Sequence, residues 1–311
     1  MKLSIVIPVY FNHDNLKPLY DDIKSKILDA VDYDCELVMV DDGSKDGSYE
    51  VMKDLADFDN RVKIYKLSRN FGSHSAILCG LEKCTGDCAV VKAADLQEPT
   101  EMIHEMVKSW QNGNNVVLGV RRSRPEKGQF FANFYYWLVR KTSLSNMPEK
   151  GFDVYLIDRK VIDVIKNFDE KNSALTGQLL WSGFKTDTVA YDRLERTIGK
   201  SRWTLKKKIR LVNDTLFSFS TLPISFVTGV GILSFAIAFI WAIFEIVAYF
   251  TGMISVPGWT LLFIFQLASF GIIMFTLGII GNYLWRTFDA SRNRPPYIVE
   301  ESNEENDVIK R

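Results

Sequence analysis

Short apolar runs alternate with stretches of helical spacing through the first 120 positions of the chain. Leu3–Val9 reads as a buried strand; it is too short for a signal peptide, is broken by Pro8 and has no small-residue cleavage site after it. Leu16, Leu19, Ile23 and Ile27 follow at helical spacing within Asn15–Val31. Cys35–Val40 is a second apolar run, and the pattern continues with a helical stretch Ser48–Phe58, strands at Val62–Lys66 and Ala89–Lys92, a helix over Ser75–Cys84 between them, and a last strand at Val116–Gly119. Strands alternating with helices of this length predict an α/β domain with a mostly parallel sheet and helices on both faces.

The pattern then changes. From Thr215 to Trp285 there are 71 residues and one charged side chain, Glu245. Leu222–Phe244 offers 23 uncharged positions, and a helix needs roughly 20 to cross a bilayer core. Turn formers at Thr251–Gly258 separate this run from Trp259–Trp285, whose Tyr283 and Trp285 suit a membrane interface. The expectation is a two-helix transmembrane hairpin, with spans near 221–249 and 258–285, and with Glu245 as an interfacial carboxylate at the outer end of the first. Lys206, Lys207, Lys208 and Arg210 precede the hairpin, Arg286, Arg292 and Arg294 follow it, and its connecting loop is uncharged. Positive flanks stay on the cytoplasmic side, which places both termini and the N-terminal domain in the cytoplasm of a cell whose inner membrane holds the hairpin. Trp203–Ser218, with Leu205, Ile209, Leu211, Val212 and Leu216, reads as an amphipathic helix on the membrane surface.

Charge adds one exclusion. The 38 basic and 38 acidic side chains cancel, so nothing marks the chain for nucleic acid. Cys35, Cys79, Cys84 and Cys88 all fall in the cytoplasmic part and are expected to be reduced structural thiols; His74, the nearest further ligand, does not complete a metal site.

In parallel sheets ligands bind beyond the carboxyl ends of strands. Those positions here hold Pro8-Val9-Tyr10-Phe11-Asn12, the Asp41–Ser48 turn, and Ala93-Ala94-Asp95-Leu96-Gln97-Glu98-Pro99. A lone DDGS is an ordinary turn and helix cap. Several carboxylates at neighbouring strand ends point instead to Mg²⁺ or Mn²⁺ bridging to substrate phosphates, and hence to a nucleoside diphosphate.

Five segments carry a resemblance: SIVIPVY at Ser4–Tyr10, VDDGSKDGS at Val40–Ser48, SRNFGSHSAILCGLEKCTGD at Ser68–Asp87, ADLQEP at Ala94–Pro99 and RTIGKSRW at Arg196–Trp203. With the paired C-terminal spans, they resemble the family 2 glycosyltransferases of the GT-A fold, and within them the polyprenyl-phosphate glycosyltransferases, nearly end to end. The resemblance implies a catalytic domain over 1–200, a juxtamembrane helix over 201–220, the hairpin over 221–286 and a cytoplasmic tail over 287–311. It implies a donor site at Pro8, Val9, Tyr10, Asn12, Asp41, Asp42 and Ala94, a metal held by Asp95 and Gln97, and a catalytic Asp153. It further implies phosphate and acceptor contacts at Arg121, Arg124, Arg196, Lys200, Ser201 and Arg202.

The reaction so implied is inverting transfer of a sugar from a nucleotide-diphosphate sugar, UDP-sugar favoured, to a polyprenyl phosphate. The chain departs from the family pattern at Ala93, where the metal motif has its first acid, at Asn12, where an acid is common, and at Tyr155, where an arginine is usual. A processive polysaccharide synthase and a catalytically lapsed membrane scaffold are the rival readings. The first lacks the glutamine of its signature, Gly199 standing there; the second rests on Ala93 alone. Gly229, Gly231, Gly271, Gly278 and Gly281 permit close helix packing, and relatives with this hairpin imply self-association. The acidic residues after Tyr297 read as a disordered tail.

Overall fold

The computed structural model describes residues 1–123, 129–168, 174–195, 212, 214–215, 217–251 and 259–304. The chain forms two compact units, Met1–Val212 with Arg294–Arg311, and Asn213–Asn293.

The first unit is built on an eight-stranded sheet: β1 (Lys2–Val9), β2 (Asp34–Asp41), β3 (Val62–Leu67), β4 (Cys88–Val91), β5 (Val116–Arg121), β6 (Val154–Asp158), β7 (Thr186–Tyr191) and β8 (Val299–Ser302), in the spatial order β7-β5-β6-β4-β1-β2-β3-β8. All neighbours pair in parallel except β6, which runs against β4 and β5, and β8, which runs against β3. The helices between strands are α1 (His13–Ile23, running on into a π-helical turn at Lys24–Leu28), α2 (Ser48–Phe58), α3 (Ser73–Lys83), α4 (Met102–Gln111), α5 (Gln129–Thr142), α6 (Arg159–Ile165) and α7 (Leu175–Trp181).

The central strands are apolar on both faces, as in sheets covered on both sides. Ile5 and Ile7 share a core with Leu16, Leu19 and Ile23 of α1, Met52 of α2 and Ile103 of α4. On the opposite face Gly80 of α3 lies so close to Val6 that a Cβ there would collide with its side chain. The four cysteines are free and buried.

Two features depart from the sequence expectation. The pattern does not end at Val116–Gly119, because β6 and β7 extend the sheet beyond it. The tail after Tyr297 is ordered, not disordered, through residue 304. Val299–Ser302 adds an antiparallel strand to β3, and Asn303 accepts a hydrogen bond from the Ile64 N–H at 2.9 Å. Its acids meet a basic edge: Glu301 pairs with Lys53 at 2.9 Å and with Lys66 at 2.8 Å, and Glu304 pairs with Lys63 at 2.9 Å. A charge run that reads as solvated is here one half of a charge-matched strand pair. Glu305 and Asp307 lie outside the described residues.

The second unit is a helical hairpin, α8 (Leu222–Phe250) and α9 (Trp259–Ser291). Within them Leu222–Trp241 and Ala268–Ser291 are long and apolar enough to cross a membrane, and neither is buried by protein. Phe235, Ile232 and Leu284 are each about two-thirds exposed or more. Covering side chains of this size with an apolar phase is worth about 1.5–3 kcal/mol apiece, so water is a poor solvent for this unit. Phe226 packs on Phe275 and Trp241 on Phe265 across the hairpin. At its open end Arg286 Nη2 lies 2.9 Å from Asp214 Oδ1, and its Nη1 donates to Ser218 Oγ at 3.0 Å. Residues 201–211 of the expected juxtamembrane helix lie outside the described residues; 212, 214–215 and 217–219 are helical.

Candidate active site

Because β1, β2, β4, β5 and β7 are parallel, their carboxyl ends share one edge of the sheet, and antiparallel β6 begins there. The strand order turns outward on both sides of β1 and β4, which opens a crevice between their ends. The described residues expected in the donor, metal and catalytic sites lie along this edge.

On the β1–β2 side, Val9 sits beside Asp41 in the register. Pro8 and Val9 finish β1, with Val9 fully buried, and Tyr10 follows with its ring edge-on to Phe11. Phe11 adopts the left-handed region (φ 54°), a conformation that non-glycine residues hold where the surroundings dictate it. Asn12 is drawn in by its N–H, which donates to Ser48 Oγ at 3.0 Å, and its Oδ1 takes the Tyr10 N–H at 3.4 Å.

The two aspartates of the DDGS turn part company. Asp41 is fully buried; burial pushes its carboxyl up, against the Ser44 N–H donated to both its oxygens at 3.1 and 3.3 Å. Asp42 instead accepts the Phe71 N–H at 2.7 Å and the Gly72 N–H at 2.9 Å, fastening the loop after β3. Gly43 (φ 69°) completes that joint, since a Cβ there would lie 2.6 Å from the Arg69 carbonyl carbon. Asp42 thus holds the loop after β3 beside the expected donor site.

After β4 the chain passes through buried Ala94 to Asp95, and Leu96 again takes a left-handed φ of 57°. That kink turns the motif back on itself, and the Gln97 N–H donates to Asp95 Oδ1 at 3.3 Å. Arg193, just past β7, places Nη2 2.5 Å from Gln97 Oε1 and 3.9 Å from Asp95 Oδ2. Beneath them Lys92 is buried and donates from Nζ to the Glu98 carbonyl at 2.5 Å; burial holds its ammonium below the usual range. Burial likewise pushes the Glu98 carboxyl up to about 7, against the nearby Lys92 charge. Glu98 Oε2 has no hydrogen-bond partner among the described residues, and Glu98 borders a 530 Å³ cavity with Asp22, Lys26, Thr100 and Leu194.

The β5–β6–β7 side holds a second constellation. Arg121 Nη2 lies 2.5 Å from Asp153 Oδ2, and the Tyr191 hydroxyl donates to the same oxygen at 3.3 Å. Arg121 and Tyr191 are register partners, so the sheet itself sets this triangle. Tyr155 opposes Val91 across β4 and β6; its buried hydroxyl has no hydrogen-bond partner among the described residues, and burial pushes its phenol far up.

The oxygens of Asp95 and Gln97 are hard donors of the type that suits Mg²⁺ or Mn²⁺. A guanidinium already stands against both, so the pair favours positive charge. No group of three His, Cys, Asp or Glu side chains gathers to hold an ion among the described residues, so a bound ion would take its remaining ligands from substrate phosphate and water. His74 belongs to no metal-ligand group among the described residues, and its Nδ1 accepts the Leu175 N–H at 3.1 Å.

Of the expected site residues, Arg124, Arg196, Lys200, Ser201 and Arg202 lie outside the described residues. Sequence reading missed Lys92, Tyr191 and Arg193, and named Glu98 only as one of the strand-end acids. Lys92 carried a signal, a charge closing the apolar run Cys88–Val91; Arg193 carried none beyond its nearness to Arg196.

Comparison with known proteins agrees with this architecture. The family model described as Glycosyl transferase family 2 matches residues 4–173. An uncharacterized glycosyltransferase of Bacillus subtilis (strain 168) is 36% identical over 97% of this chain and 94% of its own. A prophage bactoprenol glucosyl transferase homolog of Escherichia coli (strain K12) is 33% identical over 96% and 99%, and the bactoprenol glucosyl transferase of Shigella phage SfII is 32% identical over 98% and 100%. Among solved structures, mannosyl-3-phosphoglycerate synthase from Rubrobacter xylanophilus shares the fold, with a TM-score of 0.50 and 14% identity over 70% of this chain and 72% of that one. Sheet order, strand-end chemistry and near full-length likeness agree: the chain belongs to glycosyltransferase family 2.

Proposed function

We propose that this protein moves a sugar, with inversion, from a nucleotide-diphosphate sugar to a polyprenyl phosphate, giving a lipid-linked monosaccharide. The observation that carries this reading is the division of one sheet edge between an acidic donor side, Asp41 and Asp95–Gln97, and the Arg121–Asp153–Tyr191 triangle, in a chain that also carries an apolar hairpin. The relatives named for bactoprenol support the lipid acceptor.

Pro8, Val9, Tyr10, Asn12 and Asp41 form the donor floor in this reading, with Ala94 alongside. Asp95 and Gln97 would hold Mg²⁺ or Mn²⁺, which when bound supplies positive charge against the leaving diphosphate. Arg121, with Arg124, Arg196, Lys200, Ser201 and Arg202, offers guanidinium forks and polar groups for the acceptor phosphate. Such a phosphate has a second pKa near about 6 and is largely dianionic at neutral pH, so it needs little deprotonation to attack. Asp153, held by Arg121 and Tyr191, then orients the acceptor and shapes the local field.

The hairpin confines the enzyme to the acceptor's surface. Return of the chain from α9 to β8, in the same unit as β1, supports an even number of crossings. The basic flanks support a cytoplasmic side for that unit, in a cell whose inner membrane holds the hairpin.

The test is a divalent-metal-dependent assay of the full chain with polyprenyl phosphate and a panel of nucleotide sugars. One donor should yield a lipid-linked monosaccharide, and Asp95→Asn should abolish it. Donor binding without product from any sugar would refute the reading.

A further inference from the structure

Arg193 belongs to none of the motifs read from the sequence, yet it engages both oxygens assigned to the metal. Its Nη2 lies 2.5 Å from Gln97 Oε1 and 3.9 Å from Asp95 Oδ2. The backbone beside it is clamped to the same motif: the Leu194 N–H donates to the Gln97 carbonyl at 2.9 Å, and Gln97 Nε2 donates to the Leu194 carbonyl at 3.3 Å. The Arg193 side chain is 31% exposed, which leaves it room to turn.

A divalent ion binds carboxylate and amide oxygens at about 2.0–2.2 Å. A guanidinium 2.5 Å from Gln97 Oε1 and 3.9 Å from Asp95 Oδ2 would stand within a few ångströms of that ion, and the two positive charges repel. One must leave when the other arrives. The displaced guanidinium presents a planar fork that matches two phosphate oxygens at once.

We propose that Arg193 and the divalent cation exchange places. In the metal-free enzyme Arg193 neutralises Asp95 and holds Gln97; when the ion takes those oxygens, Arg193 turns to the diphosphate of the donor. Asp95 therefore has a positive partner in both states, although Ala93 leaves the motif one carboxylate short. The second half of the exchange rests on the glycosyl-transfer reading; the competition for Asp95 and Gln97 does not.

The test uses the full chain in detergent. Mn²⁺ binding is followed by electron paramagnetic resonance for the parent, Arg193→Ala and Arg193→Lys, and UDP binding by calorimetry with and without Mn²⁺. Removing the competitor should tighten Mn²⁺ binding about fivefold in Arg193→Ala, in keeping with a partly exposed charged contact, and Arg193→Lys should fall between. UDP binding by Arg193→Ala should weaken about tenfold with Mn²⁺ present and stay unchanged without it. Mn²⁺ affinity that is unchanged or lower in Arg193→Ala overturns the exchange, as does an equal loss of UDP affinity with and without Mn²⁺. A purely structural clamp would give that second pattern. Neither measurement uses the lipid, so absent sugar transfer beside an intact exchange would count against the proposed function and not against Arg193.

Discussion

Replacing Asp42 by alanine should unfasten the Ser68–Gly72 loop, whereas replacing Asp41 by asparagine should leave that loop in place and remove donor binding. Asp42 accepts two backbone N–H groups through a carboxylate that is 2% exposed. Hydrogen bonds to a charged group are worth about 1.5–3 kcal/mol each, and water can recover part of the loss because Phe71 and Gly72 are half-buried. The expected cost of Asp42→Ala is therefore about 2–4 kcal/mol. Asp41 differs in sign. Burial raises its carboxyl, so folding opposes its charge, and asparagine can still accept the Ser44 N–H. Asp41→Asn should leave stability unchanged or slightly higher. Hydrogen exchange read by mass spectrometry over residues 68–80, with thermal unfolding in detergent and calorimetry with UDP, separates the two. Equal protection of that loop in Asp42→Ala and the parent would refute the division of labour.

Four further expectations follow from the same geometry. Gly43→Ala must place a Cβ 2.6 Å from the Arg69 carbonyl carbon at φ 69°, so it should cost about 2–4 kcal/mol and loosen the same loop by hydrogen exchange. Burial pushes the Glu36 carboxyl up, but hydrogen bonds from Ser4, Thr85 and Lys2 outweigh it and hold the pKa at about 2, against 4.5 ordinarily. A carboxyl depressed on folding contributes its stability above the ordinary value and loses it as pH falls toward the folded one. Glu36→Gln should therefore cost about 3 kcal/mol at pH 7, and the gap from the parent should close between about pH 4.5 and 2 in denaturant titrations. Glu301→Lys reverses its pairs with Lys53 and Lys66; at about 0.2–1 kcal/mol for each exposed pair, exchange protection at Tyr65 and Lys66 should fall measurably. Arg121→Ala strips Asp153 of its cation and should lower sugar transfer about 100-fold while UDP affinity holds.

How much of this was legible in the chain depended on whether a signal was local. The hairpin was plain because a single charge, Glu245, falls within 71 residues, a pattern no covered soluble helix needs. The strand-end acids were plain because parallel strands separated by helices send their carboxyl ends to one edge. Periodicity could not say which neighbour of the Asp41–Asp42 pair faces a backbone amide, since that depends on a loop 30 residues away. β6 was missed because Val154–Asp158 is a short apolar run without helical company, and it joins the sheet antiparallel. The acidic tail misled for the same reason of distance. Its partners Lys53, Lys63 and Lys66 lie more than 230 residues earlier, and only folding brings them opposite. Arg193 was invisible as chemistry until the left-handed turn at Leu96 presented Asp95 and Gln97 to it.

The strand formed by Val299–Ser302 also sets an order of maturation. A chain emerging from the ribosome shows its N-terminal segments first, so most of the catalytic sheet can assemble while the β3 edge is still bare. That edge closes only when Val299–Ser302 returns to it, after the two apolar helices have left the ribosome. Until then the nascent enzyme exposes an open ladder of backbone groups, the kind of margin to which stray strands attach. Capping by β8 makes completion of the sheet wait on synthesis of the hairpin that precedes it. A version cut short ahead of the hairpin for convenient expression would keep the exposed margin for good, and clumping, not lost chemistry, would be its first failure.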